Sequence, residues 1–153
     1  MQSNRLIATV VALTFLGGVG LSACSSNDGL PSATSVIVSE WIVQPKPSEV
    51  KAGDVKITAT NPGGGVHELL VYRGHRSELP LKANGSVDED AAMDRIIGEI
   101  EDIGPGMSKS KTFDLRLVDA YTLFCNIVHD TATGVVNHFA KGMVSDFTVS
   151  YSK

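Results

Sequence analysis

The side chains best suited to chemistry lie close together near the C-terminus of the chain. A thiol, two imidazoles and a thioether occur there in the order Cys125, His129, His138 and Met143. Soft thiolate and thioether donors beside imidazole form the set that copper prefers among first-row metals. An apolar, strand-like stretch follows at residues 144–151. The segment is therefore a candidate metal-binding loop that ends on a strand.

A further imidazole, His67, follows a glycine-rich loop in the first half of the chain. The loop reads Asn-Pro-Gly-Gly-Gly over residues 61–65, and an apolar, strand-like run begins at His67. Consecutive glycines let a backbone approach another group closely. The loop lacks the G-x-G-x-x-G spacing and the following helix of a dinucleotide-binding turn. We therefore expect it to deliver His67 to a loop-to-strand junction, where a sheet can hold the side chain.

The stretches that must position these donors have the residue composition and the alternation that are typical of an all-β protein. Stretches rich in β-branched and aromatic residues, or alternating between apolar and polar ones, indicate strands. The clearest are residues 36–43, 55–60, 67–72, 111–117, 120–125 and 144–151. We count about seven or eight strands separated by turns, a spacing typical of a β-sandwich or barrel. A short helix is predicted near residues 89–97.

Length and composition indicate a single globular domain and argue against nucleic-acid binding. The chain has 153 residues, enough for one domain, and its apolar content of 42% suffices for a buried core. A formal net charge of −4 provides no basic field for nucleic acid. The contexts of Cys24 and Cys125 argue against a disulfide, because Cys24 closes an N-terminal apolar run. Cys125 is then a lone thiol that is free to bind metal.

The N-terminus reads as an export signal over residues 1–23. A basic residue precedes an apolar run that is short for a membrane span. The run ends Leu-Ser-Ala-Cys, which resembles a bacterial lipobox and implies that Cys24 becomes a lipid-modified N-terminus. Residues 24–35 form a flexible linker of small polar residues, and residues 36–153 form the folded domain. We therefore expect an extracytoplasmic lipoprotein, anchored to a membrane in the periplasm or at the cell surface.

Two stretches together resemble the cupredoxin family of small blue copper proteins. They are NPGGGVHELLV and FCN…NHFAKGMVSDFTV, and the resemblance covers residues 36–153. It implies a Greek-key β-sandwich that holds one type 1 copper ion. It also implies the ligands, which are His67, Cys125 and His138 in a strong trigonal set and Met143 as a weak axial donor. The function implied is electron transfer to redox protein partners by a monomer that is not an enzyme.

The sequence departs from the family pattern in two places. Residues 126–137 separate Cys125 from His138, where many members have only a few residues. His129 lies in this gap and is an alternative ligand, although His138 matches the His-x4-Met element of the family. Glu68 follows His67 where many members have an Asn or Ser that braces the cysteine loop, so a carboxylate there either braces differently or faces away.

Two other functions use the same donors. The first is a copper-binding module for delivery, storage or sensing, which would release Cu(I) to an acceptor. The second is a domain of the same fold whose site holds zinc or no metal. Zinc prefers tetrahedral nitrogen, sulfur and oxygen donors, for which a thioether is a poor fourth ligand.

Overall fold

The computed structural model describes residues 29–151, which consist mainly of β-strands. In chain order the strands are β1 (Ala33–Ser39), β2 (Ile42–Lys46), β3 (Glu49–Lys51), β4 (Gly53–Thr60), β5 (His67–Arg73), β6 (Ile96–Ile103), β7 (Ser108–Leu115), β8 (Asp119–Phe124), β9 (Val128–Thr131), β10 (Gly134–Asn137) and β11 (Val144–Ser150). One short α-helix, α1 (Glu89–Ala92), and the 3-10 turns Arg76–Glu78 and Met93–Arg95 lie between β5 and β6. None of the helices in residues 29–151 is long and apolar enough to cross a membrane.

The strands form two larger sheets that share one hydrophobic core. The four-stranded sheet has the order β2-β1-β4-β7, and the five-stranded sheet has the order β3-β11-β8-β5-β6. Side chains alternate between buried and exposed along β1 and β4, as expected for strands with one face against a core. Both sheets contribute buried residues to this core, including Val36, Ile57, Leu69, Leu123 and Phe147. The predicted all-β sandwich is therefore observed.

A second, smaller core covers the outer face of the five-stranded sheet. Leu70 and Tyr72 of β5 point away from the main core and pack with Phe124, Leu79 and Val87. The long connection between β5 and β6 supplies Leu79 and Val87. Strand β5 is therefore buried on both faces, which fixes the strand that begins with His67.

Two differences from the predicted elements have simple physical reasons. The structure has more strands than expected because the strand predicted at residues 36–43 is divided by a turn into β1 and β2, and because β9 and β10 form a separate two-stranded ribbon. The predicted helix begins at Glu89, where Asp88 Oδ1 accepts a hydrogen bond from Ala91 N–H at 3.4 Å. It ends at Ala92 because Ile96 already pairs with Tyr72 in the sheet.

The N-terminal predictions fall mainly outside the described part of the chain. The signal sequence and the lipid-modified Cys24 precede residue 29, where the structural description starts. Strand β1 begins at Ala33, so the folded domain includes the last residues of the predicted linker.

Candidate metal centre

Sheet order brings three of the predicted donor positions to one end of the five-stranded sheet. Strands β8 and β11 are antiparallel neighbours, with Phe124 opposite Val144. Cys125 therefore leaves one strand where Met143 enters the other, and Cys125 N–H donates to the Met143 carbonyl at 3.0 Å. Strand β5 lies on the other side of β8 and runs antiparallel to it, so its first residue, His67, lies at the same end.

Three buried donor atoms converge at this end. His67 Nδ1 lies 3.2 Å from His138 Nδ1, which lies 3.3 Å from Cys125 Sγ. The donor atoms of the three residues all lie within 4.8 Å of one another. Bonds of about 2.0–2.3 Å from one metal to nitrogen and sulfur place neighbouring donors about 3–4 Å apart. The separations therefore suit a single first-row ion.

Met143 is fully buried beside this cluster. Its N–H donates to the His138 carbonyl at 3.1 Å, and its carbonyl accepts from Cys125 N–H. The backbone of Met143 thus ties together the loop segments that carry both C-terminal donors. This position is consistent with the weak axial role that the sequence resemblance implies for its thioether.

Burial determines the protonation of the donors. It raises the pKa of the Cys125 thiol to about 11, so the metal-free thiol is neutral. Burial, followed by the charges of His67 and His129, lowers the pKa of His138 to about 4. Burial also lowers the pKa of His67. The imidazoles are therefore ready to bind metal near neutral pH, whereas the thiol must lose its proton first.

Glu68 braces the cysteine loop, which answers the question left open by the sequence. Its Oε1 accepts a hydrogen bond from Asn126 N–H at 3.0 Å. Burial raises the pKa of Glu68 to about 7, and the hydrogen bond from Asn126 opposes that rise. The carboxylate thus occupies the bracing position taken by Asn or Ser in many members of the family that the sequence resembles.

The Asn126 side chain connects the cysteine loop to the segment between β5 and β6. Its Oδ1 accepts from Val87 N–H at 2.8 Å, while its Nδ2 donates to the Val87 carbonyl at 3.0 Å and to Glu89 Oε1 at 2.6 Å. The residue after Cys125 is therefore fixed on both sides, to β5 through Glu68 and to the β5–β6 connection through Val87.

The structure places His129 outside the donor cluster. His129 lies on β9, an exposed strand of the ribbon, and its ring centre is 5.3 Å from that of His138 in an edge-on arrangement. His138 follows β10, and its N–H donates to the Ile127 carbonyl at 3.0 Å, which closes the base of the ribbon. His129 is thus a neighbour of the cluster, while His138 is a member of it.

Two residues at the site, Glu40 and Trp41, were missed by sequence reasoning. They form the turn between β1 and β2, in a run that reads as one continuous strand. The centres of the Trp41 and His138 rings lie 5.4 Å apart in an edge-on arrangement.

A cleft of about 500 Å³ opens above the cluster, and its lining residues are Glu40, Trp41, Gly65, Val66, Ile127, His129 and His138. The only sequence feature that pointed to Glu40 and Trp41 was the glycine run at residues 63–65. Such a run indicates that the backbone lies close to another group, but it does not show which group.

Comparison with known proteins identifies the fold. No protein-family model matches the chain, and no curated protein is significantly similar to it in sequence. Among solved structures, dithionite-reduced auracyanin from the photosynthetic bacterium Roseiflexus castenholzii matches with a TM-score of 0.54 and 18% identity, covering 80% of this chain and 99% of that one.

Two further solved structures agree with this match. Auracyanin B has a TM-score of 0.54 and 16% identity, covering 77% of this chain and 88% of its own. Rusticyanin from Thiobacillus ferrooxidans has a TM-score of 0.50 and 13% identity, covering 78% and 79%. Auracyanin and rusticyanin are cupredoxins. The chain therefore has the cupredoxin fold, and it carries a His-Cys-His donor cluster that fits a blue copper site.

Proposed function

We propose that this protein transfers electrons through one type 1 copper ion bound by His67, Cys125 and His138, with Met143 as the axial ligand. The observation that carries the proposal is the buried convergence of the three donor atoms within 4.8 Å of one another. A thiolate with two imidazoles and a weak thioether is the donor set of blue copper electron-transfer sites. Copper bound there supplies one-electron redox chemistry.

The protein contributes rigidity to this chemistry. His67 starts a strand that is buried on both faces, and the cysteine loop is held by Glu68 and Asn126. Donors fixed in this way move little between oxidation states. A small rearrangement favours rapid electron exchange, so the supports of the loop suit a carrier better than a site that must open to release its metal.

The test is the visible and paramagnetic-resonance spectrum of the protein loaded with Cu(II). We expect an intense visible absorption that Cys125→Ser abolishes and that His129→Ala retains, since His129 lies outside the cluster. A colourless Cu(II)-loaded protein would refute a blue site. Repeated reduction and oxidation in the presence of a Cu(I) chelator should leave the copper bound, whereas transfer of copper to the chelator would indicate delivery or storage.

The cleft above His138 is the proposed route for electrons. His138 is only 3% exposed, so a partner reaches it through Trp41, Val66 and Ile127 at the surface of the cleft. An exposed apolar and aromatic patch of this kind suits the centre of a protein interface. Val66→Glu should slow electron exchange with a protein partner and leave the spectrum unchanged. An unchanged rate would argue against this face.

We further propose that the domain works outside the cytoplasm on a lipid anchor at Cys24. Support comes from the apolar run and the Leu-Ser-Ala-Cys sequence at its end. The prediction is a membrane-bound mature protein whose N-terminal residue is a diacylated Cys24, detectable by mass spectrometry. Cys24→Ser should abolish lipid attachment, and a wild-type protein recovered without lipid would contradict the anchor.

A further inference from the structure

Glu40 projects from the turn between β1 and β2 into the glycine-rich loop that precedes His67. Its Oε1 accepts hydrogen bonds from Gly64 N–H at 3.1 Å and from Gly65 N–H at 2.5 Å. The loop crosses from β4 in the four-stranded sheet, which also contains β1, to β5 in the five-stranded sheet. One carboxylate therefore holds this crossover at the end where the donors converge.

The same carboxylate faces the far edge of the His67 ring. His67 is completely buried, and its Nε2 has no hydrogen-bond partner among residues 29–151. Glu40 Oε1 lies 3.6 Å from this nitrogen, slightly beyond hydrogen-bond length. On the opposite edge of the ring, Nδ1 faces His138 Nδ1 at 3.2 Å. The imidazole thus has the donor cluster on one side and a carboxylate on the other.

The carboxylate accounts for two of the three glycines in this loop. A Cβ on Gly63 would collide with Glu40 Oε2, and a Cβ on Gly65 would lie 2.9 Å from Glu40 Oε1. Asn61 holds the loop from beneath, because its Nδ2 donates to the Gly65 carbonyl at 2.7 Å. The loop therefore passes close to the Glu40 carboxylate at Gly63 and Gly65, where a larger residue would displace that carboxylate.

We propose that Glu40 is a positioning residue that fixes the tautomer and orientation of His67 for metal binding. The inference rests on the proposed metal site. When Nδ1 of a neutral imidazole binds a metal, the ring proton must lie on Nε2, and Glu40 Oε1 is the acceptor that faces it. Carboxylates that accept the second N–H of a ligand histidine orient the ring and strengthen its donation. A shift of a few tenths of an ångström completes the hydrogen bond.

Glu40→Ala removes the acceptor that faces His67, and Glu40→Gln keeps an acceptor there without the negative charge. A glutamine carbonyl oxygen can still accept from Gly64, Gly65 and the His67 ring, so Glu40→Gln should restore most of what Glu40→Ala loses. Loss of such partners typically weakens metal binding about 10–100-fold. A tenfold loss confined to Cu(II) would raise the one-electron reduction potential by about 59 mV. Glu49→Ala is the matched control, because Glu49 is an exposed glutamate that accepts a hydrogen bond from Ser150 instead.

The first measurement is the affinity of these variants for Zn²⁺, a metal that undergoes no redox change. We expect about a 10–100-fold loss for Glu40→Ala, a smaller loss for Glu40→Gln and no loss for Glu49→Ala. Equal affinity of Glu40→Ala and the wild-type protein would overturn the proposal. A Zn²⁺ effect in a protein whose Cu(II) form is colourless would support the positioning role while refuting the proposed blue site.

The second measurement needs no variant and so does not depend on whether one folds. Nitrogen-15 resonance of the Zn²⁺-loaded wild-type protein should show a proton on His67 Nε2 that exchanges slowly with solvent. A His67 ring that binds metal through Nε2 and keeps its proton on Nδ1 would overturn the proposal.

Discussion

Replacing Asn126 by alanine tests how strongly the cysteine loop is tied to the rest of the domain. The side chain makes three hydrogen bonds, one from Val87 N–H, one to the Val87 carbonyl and one to Glu89 Oε1. Val87 is completely buried, so water cannot replace the lost partner at its backbone. Glu89 is partly exposed, and its carboxylate can regain water.

The expected loss of stability follows from these environments. Each neutral hydrogen bond contributes about 0.5–1.5 kcal/mol, and a bond to a charged group contributes more. An unsatisfied buried backbone group costs about 1–3 kcal/mol. We therefore expect Asn126→Ala to lower the free energy of unfolding of the metal-free protein by about 3 kcal/mol, with an unchanged dependence on urea concentration.

The assay is equilibrium urea unfolding of the metal-free protein, followed by circular dichroism. Glu89→Gln is the matched control, because a glutamine carbonyl oxygen can accept the same hydrogen bond. It should change the free energy of unfolding by less than about 1 kcal/mol. If Asn126→Ala costs less than about 1 kcal/mol, or no more than Glu89→Gln, the three hydrogen bonds do not anchor the loop.

Three other perturbations test the site and the core. Because the pKa of the metal-free Cys125 thiol is about 11 and that of His138 is about 4, Zn²⁺ binding at about pH 8 should release one proton. The apparent affinity should therefore rise about tenfold per pH unit up to pH 11, and Cys125→Ser should release no proton on titration. His138→Ala should abolish tight Zn²⁺ binding while His129→Ala preserves it, as calorimetry can show; equal losses would place His129 among the ligands. Phe147→Ala, which removes a ring that is 1% exposed, should destabilise the protein by about 3–5 kcal/mol in urea, and a loss below about 1 kcal/mol would contradict its place in the core.

The donors could be predicted from the sequence because three of them lie in one segment between two recognisable strands. Cys125 and Met143 flank that loop, and their proximity follows from the pairing of β8 with β11 alone. The place of His67 depends on a second fact, that β5 lies beside β8, which no local pattern in the sequence encodes. The resemblance to a known family supplied that order.

Glu40 and the β9–β10 ribbon were not predictable for different physical reasons. The contact of Glu40 with Gly64 and Gly65 joins two loops that are 24 or more residues apart in the sequence, and a single carboxylate in a strand-like run has no periodic signal. Strand β9 is exposed along its whole length, so it lacks the alternation of burial by which strands are recognised. The ribbon is visible only through its backbone pairing, with Val128 opposite Asn137.

The closed base of the ribbon makes the spacing between Cys125 and His138 a poor measure of the loop that binds the metal. The hydrogen bond from His138 N–H to the Ile127 carbonyl closes the base of the ribbon, so residues 128–137 project from the metal-binding loop as a hairpin. Ile127 and His138 are therefore close in space although ten residues separate them in the sequence. The tip at residues 132–133 is thus a natural place to graft a peptide. A graft there would put a new recognition element beside a redox centre without changing the path between its donors.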